Sequence, residues 1–249
     1  MADFLLIHGA HHTGACWDPV ATALRDAGHR VDAPDLPPNV EVDIAYEDVD
    51  LDVYADYVAD RIRAGGRPVI LVGHSLAGAT IGAAAERVPG LIRDLVYLTA
   101  LMPAPGDSIT QFRRRLFGPA APPSDTTPYR TLHADGRVAT MDPLGARDMM
   151  YQRSDEVAAQ EAIERFRPQP LRIYDQPLEL TPERWGSVRR TYVLALQDRT
   201  LPNALSAFML EVVRADRVEV IDTDHSPFLS APERLTKLLL AVAALPARG

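Results

Sequence analysis

Residues 69–78 read Val69-Ile70-Leu71-Val72-Gly73-His74-Ser75-Leu76-Ala77-Gly78. Four apolar, largely β-branched residues run straight into a serine, and small residues with helical periodicity follow it. The pattern predicts a buried strand, a tight turn and a helix, with Ser75 on the turn. Such an elbow lifts a hydroxyl out of the sheet and leaves it open to attack a carbonyl. Gly73, Ala77 and Gly78 are small because the backbone must fold back tightly and the helix must sit close to the strand. The usual spacing for this turn is G-x-S-x-G; Ala77 stands at its last position, and a methyl group there is expected to fit. The competing reading is that Ser75 only caps the helix, as serines often do.

The chain outside this elbow alternates in the same way. Apolar runs near 3–7, 30–33, 68–72, 94–99, 190–196 and 217–221 predict strands, and helical patterns fall near 17–27, 51–64, 75–87, 203–214 and 232–244. Strand–helix alternation predicts an α/β fold, a mostly parallel six-stranded sheet with helices on both faces. Two stretches interrupt it. Residues 35–50 hold Pro37-Pro38 and then Glu41, Asp43, Glu47, Asp48 and Asp50, an expected solvated acidic loop. Residues 103–187 carry Pro119, Pro122 and Pro123 among Phe112, Phe117, Tyr129, Met149, Met150, Tyr151, Phe166 and Trp185. That stretch is too long for a loop and too apolar for a linker. It predicts an inserted cap (103–187) over a core formed by 1–102 and 188–249.

Composition narrows the function classes. In 249 residues, 47% are hydrophobic and 24% charged, as in an ordinary water-soluble domain. A formal net charge of −8 argues against a nucleic-acid or anionic-membrane surface. The single cysteine, Cys16, excludes an internal disulfide framework and fits a reducing compartment. No apolar run approaches membrane-spanning length, and the N-terminal Phe4-Leu5-Leu6-Ile7 is too short for a signal peptide. A cytoplasmic protein without membrane or nucleic-acid partners is expected.

A serine hydroxyl needs a base within hydrogen-bond reach. Among the 7 histidines, His225 lies in Asp222-Thr223-Asp224-His225-Ser226, just after the last predicted strand. Loops at the carboxyl ends of parallel strands share one rim of the sheet, where the Ser75 elbow must also lie. The base needs an acid to hold its tautomer. Asp198 follows the strand 190–196 at its carboxyl end and gives the chain order serine, acid, histidine that strand-elbow hydrolases use. Asp222 and Asp224 compete for that role, although their closeness to His225 suits them to shaping its turn. Two backbone amides, of Leu76 after the serine and of Ala10 in the Gly9 turn, are placed to receive an oxyanion. His11, Phe112 and Met149 are candidates for substrate contact. His8 is expected to hydrogen-bond its loop backbone and His12 to lie at the surface. No carboxylate or cysteine cluster completes a zinc-like spacing with these histidines, so neither metal nor cofactor is expected.

With these residues placed, the chain resembles the α/β-hydrolase superfamily, in particular the branch of plant methylesterases and hydroxynitrile lyases with their bacterial relatives. The resemblance lies in Phe4–Trp17, Gly28–Leu36, Val72–Gly78, Leu98–Pro103, Leu196–Pro202 and Asp224–Pro232, nearly the whole chain. It implies a six-stranded core starting at the first strand; the triad of Ser75, Asp198 and His225 points to ester hydrolysis through an acyl-enzyme, and the cap is expected to favour small or medium apolar and aromatic esters. Lyases of this branch carry a threonine at the position of Ala10 and a lysine directly after the histidine, where this chain has Ser226. The esterase reading is therefore favoured. A lyase-like or tailoring reaction on a lactone, thioester or C–C bond is the alternative, and a ligand-binding protein without catalysis is a further one. Dimers occur in the branch, so a homodimer is one expected state.

Overall fold

The computed structural model describes residues 1–122 and 124–246; Pro123 and residues 247–249, parts of the predicted cap and core, lie outside them. Four strands open the chain: β1 (Asp3–Ile7), β2 (Arg30–Asp32), β3 (Val69–His74) and β4 (Ile92–Leu98). Three short ones follow, β5 (Arg130–His133), β6 (Val138–Met141) and β7 (Gln169–Pro170), before β8 (Arg189–Ala195) and β9 (Arg217–Ile221). The main sheet is six-stranded and parallel throughout, in the order β2-β1-β3-β4-β8-β9. The expected fold class is borne out.

Period-two alternation explains why β1 after Asp3, and β3 from Val69 to Val72, are apolar on both faces. Leu5 and Ile7 of β1 and Val69 and Leu71 of β3 enter one core. Their neighbours Phe4, Leu6, Ile70 and Val72 enter a second core on the other face. Helices cover both faces: α1 (Asp18–Asp26), α2 (Leu51–Gly65), α3 (Ala77–Arg87), α4 (Ile109–Phe117), α5 (Pro143–Met150), α6 (Glu156–Glu164), α7 (Asn203–Val212), the single turn α8 (Pro227–Ser230) and α9 (Pro232–Ala243). The first core holds residues of α2 and α3, including Val58, Ile62 and Ile81. The second holds residues of α1 and α9, including Leu24 and Leu239. Local signals start the helices: Asp50 accepts the Val53 amide at 3.1 Å ahead of α2, and Ser108 with Gln111 forms a capping box on α4.

The chain between β4 and β8 leaves the sheet. It folds as α4, the antiparallel β5-β6-β7 sheet, α5 and α6. Hydrogen bonds seat this segment over the carboxyl ends of β1, β8 and β9. Arg167 donates its amide to the His11 carbonyl (2.8 Å), Gln152 Nε2 to the Gln197 carbonyl (2.6 Å), and Arg153 N to Asp224 Oδ2 (2.9 Å). In the acidic stretch, Asp50 serves as the cap just described and Asp35 Oδ1 accepts the Gly14 amide at 2.6 Å. No helix among the described residues is long and apolar enough to cross a membrane.

Candidate active site

Strand order reverses between β1, which leads outward to β2, and β3, which leads to β4 and β8. Ligand crevices in parallel sheets form outside the carboxyl ends of strands at such a point. The chain here is strained in three places. Ser75 after β3 has φ 54°, His11 after β1 has φ 65°, and Thr99 after β4 has φ 41°. Left-handed conformations of non-glycine residues cost about 1–3 kcal/mol each and persist where the surroundings enforce them. At Ser75 the enforcement is visible: its amide donates to the Leu98 carbonyl (3.2 Å), and its carbonyl accepts from Gly78 (3.1 Å) and Leu101 (2.9 Å). Ser75 is thereby left partly exposed between the buried His74 and Leu76.

His225 and Asp198 form a buried pair, with side chains 1% and 2% exposed. The Nδ1–H of His225 donates to Asp198 Oδ2 at 2.7 Å. The other oxygen, Oδ1, accepts the amides of Thr200 and Leu201, both at 2.8 Å, which fixes the carboxylate plane. A proton on Nδ1 leaves Nε2 as a lone-pair acceptor, and Nε2 is buried without a hydrogen-bond partner among the described residues. The His225 backbone is tied to the elbow itself. His74 Nε2–H donates to the His225 carbonyl at 2.8 Å, Thr99 Oγ1 donates to it at 3.2 Å, and the His74 and His225 rings lie 4.7 Å apart.

The competing carboxylates lie elsewhere. Asp224, fully buried, accepts from Arg153 N (2.9 Å), Ser154 Oγ (3.3 Å), Ser226 N (3.1 Å) and Ser230 Oγ (2.6 Å). It clamps the histidine loop onto the inserted segment. Asp222 accepts from Gln197 Nε2 at 3.2 Å on the surface.

Ala10 and Leu76 line one cavity with Ser75, closed by Leu101, Met150 and Leu201. Its volume is about 20 Å³, room for about one water. Of the predicted contact residues, none lines it among the described residues. Phe112 is 1% exposed in the first core, with its ring 5.0 Å from that of Phe208. Met149 is half-buried outside the cavity and offers its carbonyl to Thr200 Oγ1 at 2.9 Å; one residue along α5, Met150 takes the lining place. His11 is 1% exposed, its Nδ1–H directed at the Arg167 carbonyl (3.3 Å) and its ring stacked at 6.1 Å on Phe166.

Sequence reading missed Arg113, Arg130 and Tyr174, which also line the cavity. For Arg113 a signal existed. Ile109, Phe112, Arg113 and Leu116 follow the i, i+3, i+4, i+7 pattern of a buried helical stripe, so a charge sits where an apolar residue belongs.

The buried histidines His8 and His12 bind the loop after β1. His8 donates Nδ1–H to the Gly9 carbonyl (2.9 Å) and accepts the Leu36 amide on Nε2 (3.1 Å), as expected. His12 departs from expectation. It is 4% exposed, donates Nδ1–H to the Ala10 carbonyl (2.8 Å) and accepts from the Tyr151 hydroxyl on Nε2 (2.7 Å). Tyr151 comes from the inserted segment, which covers what a bare sheet edge would expose. Burial pushes His12 down to about 3 and lowers His8, His11 and His74 as well, so these rings are neutral.

Residues 4–238 match the family described as "Alpha/beta hydrolase family". The chain is 34% identical over 246 residues to a carbendazim hydrolyzing esterase of Nocardioides sp. (strain SG-4G), covering 97% of this chain and 100% of that one. It is 30% identical over 253 residues to the probable esterase PIR7A of Oryza sativa, covering 97% and 96%. Among solved structures, a pyrethroid hydrolase of Sphingobium faniae JZ-2 superposes with a TM-score of 0.85 at 29% identity, covering 98% of both chains.

Proposed function

We propose, from the premise that this chain belongs to the alpha/beta hydrolase family, that it hydrolyses carboxylic esters of small or medium size through an acyl-enzyme. Ser75 is the nucleophile, His225 the base and Asp198 the residue that orients it. The ester carbonyl is attacked by Ser75 Oγ as its proton passes to His225 Nε2. The N–H groups of Ala10 and Leu76 receive the developing oxyanion, each worth about 3 kcal/mol of transition-state stabilisation. Leu76 opens α3, so the helix dipole adds to its amide. Collapse of the tetrahedral intermediate breaks the ester C–O bond, and His225 protonates the departing alkoxide. A water, deprotonated by the same imidazole, then releases the acid.

One observation carries this reading. A buried carboxylate fixes the tautomer of a buried imidazole whose free nitrogen has no partner, in a loop bonded to the residue beside a strained, partly exposed serine. The residue after His225 supports hydrolysis over cyanide elimination. It is Ser226, fully buried with its amide on Asp224, and it offers no cation for a departing anion.

Residues 103–187 act as the cap. With only about 20 Å³ enclosed, an ester enters when this segment gives way, and its apolar groups then meet Leu76, Leu101, Met150 and Leu201. The test is Ser75→Ala with p-nitrophenyl acetate and a fluorophosphonate probe. Wild type should turn over the ester and be labelled at Ser75, while the variant does neither and melts at an unchanged temperature. Full turnover by the variant removes Ser75 from the chemistry.

A further inference from the structure

We infer that the esters taken by this site carry a second, free carboxylate, bound by Arg130 with Arg113 beside it in the same cavity. This rests on the ester-hydrolase reading and names its substrate class: half-esters of short dicarboxylic acids.

Two guanidinium-bearing residues, from α4 and the start of β5, line the cavity of Ser75, and none of the lining residues is acidic. Arg113 is 2% exposed and already compensated. Its Nη2 donates to Asp125 Oδ1 at 2.8 Å and its Nε to the Pro122 carbonyl at 3.1 Å. Arg130 is different. Its Nη2 donates to the Tyr174 hydroxyl at 2.9 Å, and its Cζ lies 5.2 Å from the centre of that ring. Among the described residues no carboxylate forms an ion pair with it, and its Nε is buried without a hydrogen-bond partner.

A half-buried guanidinium with a buried, unmet donor carries a desolvation cost that an incoming anion relieves. Its planar fork of N–H groups matches the two oxygens of a carboxylate. His11, kept neutral by burial and by the charge of Arg130 itself, adds no further cation to compete for that anion. Leu76, Met150 and Leu201 line the same cavity as Ser75 and the arginines and suit a short hydrocarbon spacer. A half-ester thus finds three features in one cavity: Ser75 for its carbonyl, the leucines for its methylenes and Arg130 for its carboxylate. Hydrolysis adds one water across the ester C–O bond and releases alcohol, dicarboxylate and one proton.

The experiment compares monomethyl glutarate with its neutral analogue dimethyl glutarate by proton release at pH 7.5. Wild type should favour the monoester in kcat/KM by at least about tenfold, the scale of one charge-assisted pair. In Arg130→Gln that preference should vanish, chiefly through KM. Glutarate should inhibit p-nitrophenyl acetate hydrolysis competitively in wild type and not in the variant. Should the variant fail to fold, the wild-type preference and the glutarate inhibition decide alone. A wild-type preference for the diester, or a ratio unchanged in the variant, overturns the inference while leaving the esterase reading in place. Turnover of no ester, with no fluorophosphonate labelling, overturns both.

Discussion

A Cβ built on Gly9 would lie 2.9 Å from the Cβ of Ser75 and 2.8 Å from Nδ1 of His74. The turn after β1 and the elbow after β3 therefore approach until only a hydrogen fits between them. Ala10, next to Gly9, and Leu76, next to Ser75, line one cavity, and in the proposed mechanism this approach lets both amides serve one oxyanion. Gly9→Ala forces the two turns apart by several tenths of an ångström. We expect kcat/KM on p-nitrophenyl acetate to fall about 100-fold, the scale of a misplaced reacting group, with a stability loss of about 1–3 kcal/mol from overpacking. Gly65→Ala, with nothing within 4 Å of the added methyl, is the control and should leave both unchanged. Full activity in Gly9→Ala would show that the oxyanion donors do not depend on this contact.

Asp198→Asn tests the tautomer. The amide oxygen can still accept from Thr200 and Leu201, but the NH₂ then faces His225 Nδ1 and donates to it. The ring proton moves to Nε2, and the base is lost. A kcat decrease of about 10⁴-fold is expected, with little change in thermal midpoint. A decrease below tenfold would remove Asp198 from the proposed triad.

Asp224→Asn should behave in the opposite way. Every group around this carboxylate is a donor, two amides and two hydroxyls, and an NH₂ there faces N–H and O–H groups. Leaving buried donors unmet costs about 3 kcal/mol, or roughly 6–12 °C in Tm for a chain of this size. We expect thermal melting to show that drop and kcat to fall far less than in Asp198→Asn. A stable, inactive Asp224→Asn would instead make Asp224 the orienting acid.

Much of this architecture is readable before any coordinates. The centres of strands β1, β3, β4 and β8 are local events, short runs in which nearly every side chain has a core to enter. The positions of Ser75, Asp198 and His225 follow from parallel topology, because strand ends share a rim. The inserted segment obeys no such rule. Met149 and Met150 differ by about 100° around one helix, and which of them meets the cavity depends on how α5 docks. His12 looks like a surface residue until Tyr151, distant in sequence, covers it. Phe112 carries the composition of a pocket residue and packs instead against Phe208 of α7. Arg113 was visible as a charge on an apolar stripe, whereas Arg130 sits in a short strand whose partners are all non-local.

The buried histidines predict steep acid sensitivity. Unfolded, each binds a proton near pH 6.5; folded, His12 resists until about pH 3, and His8, His11 and His74 are also lowered. The unfolded chain therefore binds more protons below pH 6.5, so stability falls as pH falls. Above about pH 7.5 both states are neutral and the effect is absent. His12 alone contributes a slope approaching about 1.4 kcal/mol per pH unit below pH 6.5, or roughly 2 kcal/mol between pH 7.5 and 5; His8, His11 and His74 act in the same direction. A typical domain holds only about 5–15 kcal/mol, so a loss of this size is a measurable share of stability before most carboxylates titrate. Urea midpoints measured at pH 7.5, 6 and 5 should decline steeply. In His12→Asn the decline should be shallower by about one proton's worth, whatever its stability at pH 7.5. A midpoint level from pH 7.5 to 5 would mean that these rings take up protons while folded, and hence that the rim around Ser75 is open to water rather than sealed by the inserted segment.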